Sequence, residues 1–138
     1  MPATTTSLRH GPTARRLTVC GRALEFLVVA AELATKEIPP SGGFLGDQLR
    51  RAAGSIAFNI AEGAGEYRPK EKARFYRMAR RSATECASIL DALRLWPRPS
   101  EESRDAHARE RSLTRGREQL IEVVSMLTKM ARRFDDST

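Results

Sequence analysis

Only two cysteines, Cys20 and Cys86, and two histidines, His10 and His107, occur in the chain. They form neither a Cys-x-x-Cys pair nor a Cys/His cluster, which excludes a metal framework and leaves too few thiols for a disulfide scaffold. Both thiols are expected to stay reduced in a cytoplasmic setting and to pack as small hydrophobes. Long apolar runs are missing too. The longest, Phe26–Ala31, falls far short of the roughly 20 residues a membrane-spanning helix needs, so no membrane partner is expected. The opening MPATTTSLRHGPTARR lacks the apolar centre of a signal peptide and is too short and weakly amphipathic for a transit peptide. Residues 1–12 read as a flexible tail, and 13–135 as one domain.

Lysine is scarce. Four lysines stand against twenty arginines, and they give most of a formal charge of +7 and a pI near 10.2. Arginine makes planar, two-pronged contacts with phosphate and carboxylate and stacks on bases. The balance suggests a polyanionic partner such as RNA or DNA, or an acidic protein patch. The plainer reading is a solvated, Arg-rich surface. At 41% hydrophobic and 30% charged over 138 residues, the chain is globular and long enough for a core.

The periodicity predicts four helices. The first spans about 13–36, with Leu17, Cys20, Leu24, Leu27, Val28, Ala31 and Leu33 along one wide face, and stops at Ile38-Pro39-Pro40-Ser41-Gly42-Gly43. The second spans about 44–62 with Leu45, Leu49, Ala52, Ala53, Ile56 and Ile60 as its stripe, and Gly63 or Gly65 as the C-terminal cap. The third starts at Pro69, a favoured first helical position, and ends before Trp96-Pro97. The fourth follows Ser100, a candidate N-cap, and runs to Phe134; Ala106, Leu113, Leu120, Leu127 and Phe134 recur every seven residues, supported by Val124 and Ala131. No segment alternates as a strand does. Four helices with short connections predict an all-α, antiparallel up-down four-helix bundle.

Two helices carry more than a core stripe. In the second, Gly54, Ala57 and Ala61 are expected on the side opposite the core, flanked by Arg51, Ser55, Phe58 and Glu62. Small residues admit another backbone and Phe58 offers an apolar anchor, so this side is expected to be covered by another subunit. Gln48, Asn59 and Glu85 complete a polar set read as fixing packing and register, with Glu62 and Glu85 expected to pair with Arg50 or Arg51. In the third helix Lys70, Arg74, Arg77 and Arg81 follow a 4, 3, 4 spacing, nearly opposite the core positions Tyr76, Ala79, Ala83, Cys86 and Leu90. A row of one sign, continued by Thr84 and Ser88, suits the tracking of a phosphate backbone. The fourth helix adds Arg104, Arg111 and Arg115 as secondary candidates, interspersed with acids.

Catalytic patterns fail on inspection. Glu62-Gly63-Ala64-Gly65-Glu66 follows a helix and lacks the Gly-Lys-Ser/Thr of a phosphate loop. His107-Ala108-Arg109-Glu110 reverses the order that di-iron bundles use, and neither histidine has partners for Ser/His/Asp chemistry. No catalytic residue, metal or cofactor is expected.

The block GDQLRRAAGSIAFNIAEGAGEYRPKEKARFYRMARRSATECASILDAL, Gly46–Leu93, resembles the ribosomal RNA intervening-sequence proteins. The resemblance rests on Gln48–Ala53, Ser55-Ile56, Asn59–Gly63, Arg74–Tyr76 and Ser82–Glu85. It departs from the family pattern at Ala57, where Pro is common, and at Arg81, where Gly is common; the second change adds charge to the basic row. The resemblance implies a homopentameric ring of bundles, and a relation to the basic accessory protein of diversity-generating retroelements, which engages nucleic acid and a reverse transcriptase. The expected role is a non-enzymatic oligomer binding RNA or DNA through a basic helix face. The alternative is a protein scaffold for a neighbouring polymerase or nuclease, with no nucleic-acid binding of its own.

Overall fold

The computed structural model describes residues 18–36, 38, 40–97 and 103–136. Among the described residues four helices follow one another: α1 (Val19–Lys36), α2 (Gly43–Gly65), α3 (Pro69–Leu95) and α4 (Ser103–Asp135), with a 3-10 turn at Pro40–Gly42 before α2. There is no strand among the described residues. Each helix packs on the next and α4 closes back on α1. The side-chain contacts run in opposite directions along each pair, as in Thr35 with Arg50 and Arg77 with Asp135. The described residues of the expected domain thus form an all-α, up-down four-helix bundle; the expected tail and residues 13–17 lie outside them.

The heptad reading of α4 holds at its centre. Leu113, Leu120, Leu127 and Ala131 are buried, and Val123 with Gly116 completes the alternate positions of the seam. Those spacings of three and four keep one side of a helix facing its neighbours. The predicted stripe of α2 is buried in full, and so are Tyr76, Ala79, Ala83, Cys86 and Leu90 of α3. Each fully buried large aliphatic side chain contributes about 1.5–3 kcal/mol by leaving water.

In α1 the expected face is wrong in part: Leu33 is buried as expected and Cys20 and Leu27 are half-buried against the core, but its other described residues are not. Val19, Ala23, Phe26, Ala30 and Leu33 enter the core, while Leu24, Val28 and Ala31 face outward. Two apolar stripes one residue apart run along this helix, and periodicity alone did not rank them. The buried one is the stripe carrying Phe26, the larger surface to withdraw from water. Ala57 is likewise a core residue, one helical turn on from Ala53, and not part of the outer side. Thr18 marks the N-cap of α1, its hydroxyl accepting the Gly21 N–H at 3.1 Å.

The glycines that end α2 are not left-handed caps, since no described glycine has positive φ. Gly63 is required by contact: a Cβ there would lie 2.6 Å from the Tyr76 ring. The C-terminal carbonyls are met by a cation instead. The Lys72 ammonium donates to Gly63 O at 2.7 Å and to Ala64 O at 3.3 Å, and sits 5.5 Å from the Phe134 ring, satisfying orphan acceptors where the helix dipole favours positive charge. At the other end, Trp96 seals the loop region by stacking edge-on against Phe44 and donating to Ser41 Oγ at 3.1 Å.

Candidate nucleic-acid interface

The outward side of α3 carries the basic row. Lys70, Arg74 and Arg81 are exposed, and Arg77 is half-buried beside α4. Arg74, Arg77, Arg80 and Arg81, with Met78 and Thr84, line one open hollow of about 620 Å³. Arg80 was passed over by the 4, 3, 4 spacing. Yet 77, 80, 81 and 84 are themselves one helical face, so the period contained the signal. Its guanidinium leans across the helix seam to Thr128 Oγ1 at 3.4 Å.

Two carboxylates enter this cluster. Arg74 Nε meets Glu71 Oε2 at 3.1 Å, one turn away, and an Arg77 terminal nitrogen donates to both Asp135 oxygens at 2.6 Å. The second pair joins positions 58 apart in sequence, which is why α3 read alone did not disclose it. Arg81 and Lys70 have no ion pair among the described residues. Four guanidinium groups against two carboxylates leave an excess of positive charge within about one Debye length, and the exposed pairs are individually weak.

The secondary arginines do not join this cluster. Arg111 and Arg115 border a separate depression of about 320 Å³ with His107, Glu110, Thr114 and Glu118. Arg80 meets α4 at Thr128, which lies roughly 20 Å beyond Arg115 at 1.5 Å per residue. The side chain of Arg104 lies outside those described. Neighbouring cations have structural partners: Arg117 pairs with Asp91 at 2.7 Å, Arg94 with Glu110 at 3.0 Å, and Arg109 donates to Leu93 O at the end of α3.

The polar set of α2 divides in two. Gln48 donates to Glu85 at 2.5 Å, Ser55 and Ser82 share a hydrogen bond of 2.9 Å, and Asn59 donates to Ser55 O at 2.9 Å and Ser55 Oγ at 3.0 Å. These residues bridge or border the α2–α3 seam and fix its register. Arg51, Phe58 and Glu62 instead face outward. The expected pairing of Glu62 and Glu85 with Arg50 or Arg51 is absent among the described residues: Arg50 reaches Asp47 at 3.9 Å and Thr35 at 3.3 Å. Glu62 lies about three turns along the same helix from Arg50 and Arg51, too far to touch them, and Glu85 on α3 accepts from Gln48 instead.

Phe58 is 68% exposed, although its ring lies over Gly54. Val28 of α1 is 60% exposed. The Thr35–Arg50 contact sets the antiparallel register, and about two turns on from it Val28 and Phe58 arrive at the same level. Leu24 and Ala61 extend this apolar side of the α1–α2 pair. A second apolar feature lies on the other half: a groove of about 380 Å³ between α3 and α4, lined by Thr84, Ala87, Arg117, Leu120, Ile121, Val124 and Ser125.

No curated protein matches the chain. A family model, described as 23S rRNA-intervening sequence protein, matches residues 15–129, a span that takes in the hollow on α3, the polar seam of α2 and the seam of α4. With that match over most of its length, the chain belongs to the 23S rRNA-intervening sequence protein family.

Proposed function

We propose that this protein is a non-enzymatic, cytoplasmic homo-oligomer that binds RNA or DNA electrostatically through the exposed face of α3, acting as an accessory to nucleic-acid chemistry done by others. The observation that carries this reading is the hollow in which Arg74, Arg77, Arg80 and Arg81 converge, with Glu71 and Asp135 the only carboxylates paired to them among the described residues. Arginine clusters of this kind engage phosphate oxygens in pairs, independently of base sequence. Lys70 lengthens the row, and Arg111 and Arg115 supply a distant second contact. Oligomerisation, as a pentameric ring by family resemblance, would cover Phe58, Val28 and Leu24 and repeat the hollow in each copy, raising a weak affinity by avidity.

Binding to labelled RNA and DNA across a salt series tests this. Affinity should fall steeply with salt, the slope counting the phosphates neutralised. Replacing Lys70, Arg74, Arg77 and Arg81 with Glu should abolish binding while helical content and oligomeric mass stay unchanged. Retained binding by that variant would sink the assignment. The exposed Phe58 and Val28 also favour a second reading, in which this side seats a neighbouring polymerase or nuclease. A monomeric mass in solution would favour that reading over self-association.

A further inference from the structure

Two hollows on the α3–α4 face meet at one residue. Thr84 lines both the basic hollow, with Arg74, Arg77, Arg80 and Arg81, and the apolar groove, with Ala87, Leu120, Ile121 and Val124. Arg80 marks the join from the other side: its guanidinium reaches Thr128, whose own hydroxyl donates to Val124 O at 2.8 Å. Charge and apolar surface are therefore successive parts of one track running obliquely from α3 into the α3–α4 seam. Ile121, on the wall of the groove, is 62% exposed in a position where the helix could have placed a charge at no cost to packing. Arg117, also lining the groove, is held by Asp91 at 2.7 Å, which fixes its planar group beside the apolar wall.

A duplex presents phosphates outward and keeps its bases stacked inside, so it satisfies the basic hollow and leaves the groove empty. An unpaired strand offers both halves of what the track accepts: phosphates for the arginines and, between them, flat apolar faces that leave water by packing on aliphatic side chains or on a guanidinium plane. We infer that the α3–α4 face is a binding site for unpaired nucleic acid, in which the arginines of α3 hold the phosphates and the groove walled by Ile121, Leu120 and Val124 receives a base. The inference rests on the basic-face reading above and narrows it to single strands. The track from Arg74 to Ala87 is roughly 20 Å long at 1.5 Å per residue, room for about four nucleotides of extended single strand, the low end of single-strand site sizes. The groove's volume of about 380 Å³ lies within the range of small-ligand pockets, about 300–1,000 Å³.

The experiment compares the full-length protein with two variants, Ile121→Asn and Ile121→Tyr, on unstructured oligonucleotides of 4 to 16 bases and on duplexes of the same lengths, through a salt series; RNA and DNA forms of each probe are included. Oligomeric mass is measured in the same buffers. Unpaired probes should bind at least tenfold tighter than duplexes, with affinity levelling off near about four nucleotides per site. Ile121→Asn should weaken single-strand binding by about fivefold while leaving duplex affinity and the salt slope unchanged, because no charge is altered. Ile121→Tyr should strengthen single-strand binding by adding a stacking ring. Equal affinity for duplex and single strand, insensitive to both variants, would overturn the inference and leave the electrostatic reading standing. Loss of oligomeric mass in Ile121→Asn without a change in strand preference would also overturn it, assigning the groove to another copy of the chain. Absence of salt-dependent binding to every probe would remove the basic-face reading as well.

Discussion

The two helix pairs of this bundle share one core and present opposite exteriors. The α1–α2 pair carries an apolar strip of Leu24, Val28, Phe58 and Ala61 between its exposed charges, and among the described residues one side-chain hydrogen bond, Arg50 to Thr35, joins its two helices. The α3–α4 pair is laced by charge: Arg77 with Asp135, Arg94 with Glu110, Arg117 with Asp91 and Arg80 with Thr128. Inside, both pairs contribute the same kind of aliphatic seam. The lesson is a division of labour set by exterior chemistry. An apolar exterior gains by being covered, whereas ion pairs in high dielectric are worth about 0.2–1 kcal/mol and yield readily to a stronger polyanion.

If the interior is truly shared, truncating it should cost the same on either side. Ile56→Ala and Leu120→Ala, each removing a buried aliphatic side chain, should each destabilise the protein by about 3 kcal/mol in urea titrations. A difference of more than twofold would show that one pair dominates the core.

A second effect, about 2 kcal/mol, concerns Cys86 of α3. Burial, with the Glu85 carboxylate adding to it, pushes this thiol from about 9.0 up to about 12. The unfolded chain then ionises at a pH where the folded chain still holds its proton. Stability contributed by this group is therefore complete below pH 9 and lost as pH rises through the interval towards 12, amounting to about 2 kcal/mol by pH 10.5. Denaturant titrations at pH 8.5 and 10.5 measure it, and Cys86→Ala should remove most of the difference. Tyr76, also pushed up by burial, adds in the same direction only above pH 10.

The exterior comparison is broken most directly at Phe58. Phe58→Asp should lower oligomeric mass in light scattering while monomer stability changes by no more than about 0.5 kcal/mol, as for other exposed positions. The smallest effect is expected at Asp135, which occupies Arg77 at 2.6 Å. Asp135→Asn should leave the unfolding midpoint in place and raise polyanion affinity about threefold by releasing that guanidinium and removing a nearby negative charge. An unchanged affinity would mean that Arg77 does not contribute to binding.

Legibility in the sequence followed the strength of the local pattern. The core side of α3 and the heptad of α4 were readable because only one side of each helix is apolar enough to bury, and the stripe of α2 because it gathers that helix's large aliphatic residues, Leu45, Leu49, Ile56 and Ile60. The basic row was readable for the same reason in reverse. In α1 two apolar stripes compete, and the sequence-based choice of Leu24 and Val28 over Ala23 and Phe26 failed. Ala57 was misplaced by about one helical face. Arg80 lay within the period but was overlooked, while its reach to Thr128 and the Arg77–Asp135 pair depend on which helix lies alongside.

The sequence by itself determined four helices, their breakers, the basic face and the family, because period, proline and arginine spacing are properties of a single segment. Only the tertiary structure decided which stripe of α1 is buried, that Gly63 makes room for the Tyr76 ring, that Lys72 ends α2, and that the basic hollow runs into an apolar groove at Thr84. Each of those needs a neighbour distant in the chain. Which side of a helix loses its water is settled by the surface brought against it, and a local pattern carries no record of that surface.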